Sequence, residues 1–200
     1  MFEVVDASRS LFLAELHGGR VAAILERLQG PRESRADVTL YQAVPKGKHM
    51  DLVVEKATEV GVNTIVPLVT ERSVVRPEGQ AKVERWRRLS RAAASQSLQI
   101  RVPQVREPVS FEQALIEAGD GSVLLHNEPG LPTLEEAVHG TAARLFIGPE
   151  GGWSDTEKHR AADSGVSMAQ LGPYRLRSET AGIVATARTV AALQRFENSE

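Results

Sequence analysis

Two hundred residues, 42% hydrophobic and 25% charged, suit one good-sized domain or a domain with a small appendage, and they exclude a disordered chain. No apolar run approaches the ~20 residues needed to span a bilayer, no basic segment precedes an apolar core at the N-terminus, and the lack of cysteine excludes disulfides and thiolate metal sites and suits a reducing cytoplasm. The net charge of −2 hides a division: residues 79–106 carry seven lysines and arginines against Glu84 alone, whereas 110–170 carry ten acids against three bases.

Segments 2–5, 10–16 and 21–28 read as short strands separated by the turn residues Asp6-Ala7-Ser8 and His17-Gly18-Gly19. Three such strands enclose little core and are marginal alone. Residues 30–37 (GPRESRAD) read as a linker. From Val38 strands alternate with helices: a strand over 38–44, a helix over 50–60 ending at Gly61, and a strand over 64–69. A long helix over 82–99 gathers Val83, Trp86, Ala93, Ala94 and Ser97 on one narrow face, with basic residues around most of the rest. Ser110 with Gln113, Thr133 with Glu136 and Ser154 with Glu157 form capping boxes that open three more helices. Strands over 122–126, 144–147 and 166–171 and a last helix over 178–195 complete the chain. Repeated strand–helix units predict an α/β fold with a parallel sheet covered on both faces. His17, His49, His126, His139 and His159 show neither HxxxH nor HxH spacing, so no zinc site is expected.

Ligands of such folds bind at loops beyond the carboxyl ends of strands, and two loops have unusual composition. Ile147-Gly148-Pro149-Glu150-Gly151-Gly152-Trp153-Ser154 sets three glycines and a proline between a strand and a capped helix, leaving backbone N–H and C=O groups open to a ligand. It is neither a Walker loop nor GxGxxG, and a tight turn with no ligand is the competing reading. Leu171-Gly172-Pro173-Tyr174-Arg175-Leu176-Arg177-Ser178-Glu179-Thr180-Ala181-Gly182 sets two arginines and a glutamate at the mouth of the last helix. Arg177 suits a phosphate or a base carbonyl, and Glu179 lies in the first helical turn, where the dipole favours a carboxylate. A capped helix with a surface ion pair explains the same residues.

Taken in order, IGPEGGWSDTE and LGPYRLRSETAGIVATA resemble the paired signatures of the bacterial 16S ribosomal RNA (uracil-N3)-methyltransferase family, within the SPOUT superfamily of knotted methyltransferases. The stretches KGKHMDLVVEKATEVGVNTIVPLVTERSVV, ERWRRLSRAAASQS and VPQV agree, so the resemblance runs over about 38–195. It implies a SPOUT-type parallel sheet whose C-terminal segment threads a trefoil knot, a topology nearly absent elsewhere, and a homodimer with its sites near the interface. It implies two domains: a remnant of an N-terminal PUA-like, RNA-binding β-barrel at 1–33, and the methyltransferase domain at 34–200. S-adenosylmethionine (SAM) is the implied cofactor. Ile147, Gly148, Pro149, Glu150, Gly151 and Gly152 would form one wall of its pocket, and Leu171, Gly172, Leu176, Arg177, Ser178, Glu179 and Thr180 the knot-side wall. Leu125, His126 and Asn127 would close a third side. A packed strand end for His126 and a packing anchor for Trp153 are the plainer readings.

The sulfonium already activates the methyl group, so the implied enzyme needs no metal and works chiefly by orientation. Arg177 is the expected stabiliser of charge on the uracil and Glu179 the candidate acceptor of its N3 proton, unless Glu179 only pairs with Arg177. The base would enter unstacked. Arg72, Arg76, Lys82, Arg85, Arg88 and Arg91 would meet phosphates of 16S ribosomal RNA in the small subunit. Several positions depart from the family: Tyr174 and Arg175 replace a basic then an aliphatic residue, Lys48 replaces an acid, and Leu98-Gln99 replaces Gly-Arg. The strands before residue 33 amount to about half a PUA-like barrel, which implies a shortened or misplaced start and a weaker grip on RNA. The alternatives are a knotted methyltransferase acting on a ribose 2′-hydroxyl or on transfer RNA, and a non-catalytic assembly factor that binds ribosomal RNA.

Overall fold

The computed structural model describes residues 1–6, 8, 10–29, 36–75 and 79–197. Residues 30–35 of the expected linker, with the expected domain boundary, and Arg76 lie outside the described residues. Strands β1 (Phe2–Val5), β2 (Leu11–His17) and β3 (Val21–Arg27) form an antiparallel sheet of their own. Gly18 and Gly19 turn β2 into β3 with φ of 59° and 72°, a region that glycine enters without a steric penalty. Leu16, Val21, Ile24 and Leu25 of this sheet are exposed, as befits strands too few to enclose a core.

The rest alternates strand and helix in chain order: β4 (Asp37–Ala43), α1 (His49–Glu59), β5 (Thr64–Val69), α2 (Gln80–Gln96), β6 (Gln104–Val105), β7 (Val109–Ser110), α3 (Phe111–Ile116), β8 (Ser122–Leu125), α4 (Leu134–Ala137), β9 (Ala142–Ile147), α5 (Asp155–Asp163), β10 (Ser167–Ala169) and α6 (Ser178–Glu197). These strands form a sheet in the order β10-β8-β9-β4-β5-β6, with β7 also on β5, and the pairings are parallel. Successive side chains of a strand face opposite ways. Leu145 and Ile147 of β9 therefore join one core with residues of α1, α2 and α6, while Phe146 joins another with Phe111 of α3 and Ala161 of α5. Helices cover both faces, which is why the central strands read as near-continuous apolar runs. In the second core Tyr41 stacks on Phe146 at 4.6 Å and donates its hydroxyl hydrogen to Glu117 at 2.9 Å. Burial, with that carboxylate, pushes the phenol up to about 12.

Ser110, Thr133 and Ser154 each accept from the backbone N–H three residues on, completing the three capping boxes. Two elements end two or more residues short of expectation. Gln170 leaves the line of β10, donating to Pro132 O at 2.9 Å and accepting from Leu134 N at 3.1 Å, so the strand stops at Ala169. Helix α2 stops at Gln96 because Leu98 takes a φ of 55°. Among the described residues no helix is long and apolar enough to cross a membrane, and no three His, Asp or Glu residues are grouped to hold a metal ion.

Candidate active site

The parallel order brings the carboxyl ends of β8, β9 and β10 side by side, so the loops that leave them share one edge of the sheet. The loop after β9 is built around Trp153, which is 4% exposed. Its indole N–H donates to Leu125 O at 3.0 Å, and its ring lies 5.1 Å from that of Phe111. A Cβ on Gly148 would press on the indole at 3.0 Å, so the loop closes over the ring only because that position is glycine. Gly152 donates to Pro149 O at 2.9 Å and turns back with a φ of 69°. Trp153 is thus a packing anchor.

Side chains from distant segments hold this loop by its carbonyls. Ser178 Oγ donates to Gly148 O at 2.7 Å and accepts from Gln42 Nε2 at 2.9 Å. Arg175 reaches Glu150 O at 3.2 Å, and Arg72 reaches Gly151 O at 3.0 Å. The Glu150 carboxylate accepts from the backbone of Lys46 at 3.1 Å. Glu157, 3% exposed, caps α5 through Ser154 N at 2.8 Å and turns its other oxygen to Glu71 N at 2.9 Å, tying α5 to the loop after β5. On the opposite wall Arg188 holds Leu171 O at 2.5 Å. Loops fixed in this way lose little freedom when a ligand arrives.

Between these loops lies a cavity of about 620 Å³. Leu125, His126 and Asn127, Ile147 to Gly152, and Leu171, Gly172, Leu176, Arg177 and Ser178 line it, so three segments separated in sequence meet there. Thr180 does not line it and is exposed. Neither does Glu179, which is 7% exposed and sets Oε1 3.4 Å from Nδ1 of His49 on α1. Residues two apart at the start of a helix do not face each other, and the partner of Glu179 is therefore His49 and not Arg177. His126 both lines the cavity and sets Nε2 3.3 Å from Glu128.

Arg72, Trp153, Tyr174, Arg175 and Ala181 also line the cavity. Arg72 was expected among the phosphate contacts, and only the meeting of the β5 and β9 loops places it here. Tyr174 and Arg175 stood inside the second loop but read as departures from a pattern. On α2, Lys82, Arg88 and Arg91 are exposed. Arg85, also expected among the phosphate contacts, grips both oxygens of Asp51, the closest contact 2.7 Å, and Trp86 Nε1 donates to the same carboxylate at 3.1 Å. That pair joins α1 to α2.

The sequence model of the RNA methyltransferase domain family matches residues 32–190. The ribosomal RNA small subunit methyltransferase E of Synechocystis is 35% identical over 204 residues, covering 96% of this chain and 66% of the relative. That of Mycobacterium tuberculosis is 32% identical over 193 residues, covering 91% of this chain and 73% of the relative. A crystal structure of the ribosomal RNA small subunit methyltransferase E of Neisseria gonorrhoeae bound to SAM matches with a TM-score of 0.81 and 28% identity, over 97% of this chain and 82% of that one. This chain is shorter than these relatives and spans just under two thirds of the cyanobacterial one.

Proposed function

This chain belongs to the RNA methyltransferase family, among the small-subunit methyltransferases E, and we propose that it transfers the methyl group of SAM to N3 of a uridine in 16S ribosomal RNA. One observation carries the reading: the strand end at 125–127, the glycine loop at 147–152 and the loop at 171–178 close on a single cavity. Its volume of about 620 Å³ lies within the ~300–1,000 Å³ of pockets for small ligands and cofactors.

The residues present fit SAM. Gly148, Gly151 and Gly152 leave backbone at the wall where side chains would fill it, and the loop is already held by Ser178, Arg175 and Arg72. Gly148 to Gly152, Leu171, Gly172 and Leu176 would hold the cofactor, with Leu125, His126 and Asn127 on the third side. When bound, SAM supplies a methyl group already activated by its sulfonium. Arg177 lines the cavity, is exposed, and has no ion-pair partner among the described residues, so it serves to stabilise charge on the uracil as the N3 proton passes to solvent water. Glu179, off the cavity, anchors the first turn of α6 to α1 and is not assigned that proton.

The chain passes from β9 to β10 at the sheet edge and returns with α6 packed on β4 and β9. That path supports a trefoil knot in the domain from residue 34 onward. We read β1–β3 as part of a PUA-like RNA-binding unit, and the methyltransferase domain as the seat of a homodimer acting in the cytoplasm.

Calorimetry with SAM tests the pocket. A Cβ at Gly151 would sit 3.3 Å from Arg72 Cβ. Gly151→Val should therefore push Arg72 from Gly151 O, place its methyls at the cavity wall, and abolish SAM binding while the melting temperature falls by only a few degrees. Normal binding by that variant would refute the pocket assignment. A methylation assay on small ribosomal subunits, with the modified nucleotide mapped, tests the reaction itself.

A further inference from the structure

Two tyrosines occur in the chain, and they are used in opposite ways. Tyr41 is 1% exposed and stacked in the core, whereas Tyr174 is 82% exposed although it lines the cavity. Among the described aromatic residues only Phe2, in β1, is also exposed. The Tyr174 ring stacks on no other, and its hydroxyl has no hydrogen-bond partner among the described residues. A ring left in water by the fold contributes nothing to the core. It is nonetheless firmly presented: Gly172, with a φ of 134°, and Pro173 precede it, and the next residue, Arg175, is held on Glu150 O.

Three guanidinium groups surround the same cavity. Arg72 and Arg175 each give one donor to a loop carbonyl and keep others free, and Arg177 is exposed. SAM carries a single carboxylate beside its sulfonium and ammonium, so three arginines are more than the cofactor alone can use. They suit a polyanion. An aromatic face among arginines is the arrangement that holds single-stranded nucleic acid, the ring taking a base and the cations its phosphates.

We propose that Tyr174 is a stacking platform for an unpaired nucleobase of the RNA substrate at the cavity mouth, with Arg72 and Arg175 on the adjoining phosphates. The proposal rests on the RNA methyltransferase reading above. A base drawn out of its own stack loses that contact, and the tyrosine ring restores it beside the site.

The test uses the full chain and three variants, Tyr174→Phe, Tyr174→Leu and Tyr174→Ala. For methylation of small ribosomal subunits, kcat/KM should fall about tenfold or more in the Leu and Ala variants, as for other lost base–aromatic stacks. The Phe variant should stay within about twofold of wild type, because the face and not the hydroxyl acts. The SAM Kd from calorimetry should be the same for all four proteins. Anisotropy of a fluorescein-labelled oligouridylate reads the same contact without turnover and should show the same ranking. Equal oligouridylate affinity in wild type and Ala, a Phe variant as impaired as Ala, or a tenfold loss of SAM affinity in Ala would each overturn the platform. Absence of methylation by the wild-type chain would instead count against the methyltransferase reading, and the oligouridylate ranking would still decide the platform.

Discussion

At Gly182 an added methyl group would overlap Oε1 of Gln42, a buried oxygen with no hydrogen-bond partner among the described residues. Helix α6 lies so close to β4 that only hydrogen fits between them. The same glutamine holds Ser178, which holds Gly148, so the contact sets the spacing of both cavity walls. Alanine favours a helix by about 1 kcal/mol over glycine, but overpacking a fixed core costs about 1–3 kcal/mol or more. The clash wins because Gln42 is fully buried and its amide already bonds Ser178 and Ala43 O. Gly182→Ala should lower the melting temperature by several degrees and weaken SAM binding in calorimetry at least tenfold. Gly165→Ala, between α5 and β10 and off the cavity, is the control: its φ is 74° and nothing lies within 4 Å of the new carbon. Only the left-handed strain of about 1–2 kcal/mol should appear there. Equal effects from the two substitutions would mean that close packing of α6 does not set the cavity.

Helix α2 ends on a residue whose backbone suits glycine. Leu98 has a φ of 55°, which costs an L residue about 1–2 kcal/mol. It is 40% exposed and belongs to neither core, so its side chain returns less than a buried leucine would. Leu98→Gly is expected to stabilise the protein by about 0.5–1 kcal/mol, a rise of ~1–4 °C in thermal denaturation. A lower midpoint would show that leucine packing outweighs the strain. The element boundaries show what local pattern can carry. Capping boxes at Ser110, Thr133 and Ser154 and the apolar run of β9 are local signals, and each element stands where its signal lies. The meeting of the β9 and β10 loops is not local. It depends on β8 lying between β9 and β10, which periodicity does not encode; the family resemblance joined the loops instead. Arg72 is 79 residues from the carbonyl it holds, and Glu179 turns to His49 across two helices. Such partners become visible only once the sheet order is known.

Over the whole molecule, a net charge of −2 requires any grip on RNA to be a matter of placement. The basic block at 79–106 is smaller in the fold than in the sequence. Arg85 is paired with Asp51, Arg87 with Glu84 and Glu107, and Arg106 with Glu117. Lys82, Arg88 and Arg91 are exposed, and among the described residues Arg91 bonds only a backbone carbonyl, so no carboxylate there neutralises it. At 100° per residue Arg88 and Arg91 lie about 60° apart on the helix, whereas Lys82 lies about half a turn from Arg91. One RNA strand can follow Arg88 and Arg91 together but not all three. Each phosphate neutralised contributes about 0.7–0.9 to the slope of log affinity against log salt. The double variant Arg88→Ala, Arg91→Ala should therefore weaken binding to small ribosomal subunits and flatten that slope by about 1.4–1.8. Lys82→Ala and Arg85→Ala should leave the slope near that of wild type, and Arg85→Ala should in addition lower the melting temperature, because Asp51 loses its charged partner and keeps only the Trp86 N–H. Salt titrations of subunit binding separate these cases. A double variant with an unchanged slope would remove α2 from the RNA surface and leave the grip to the cavity rim and the N-terminal strands.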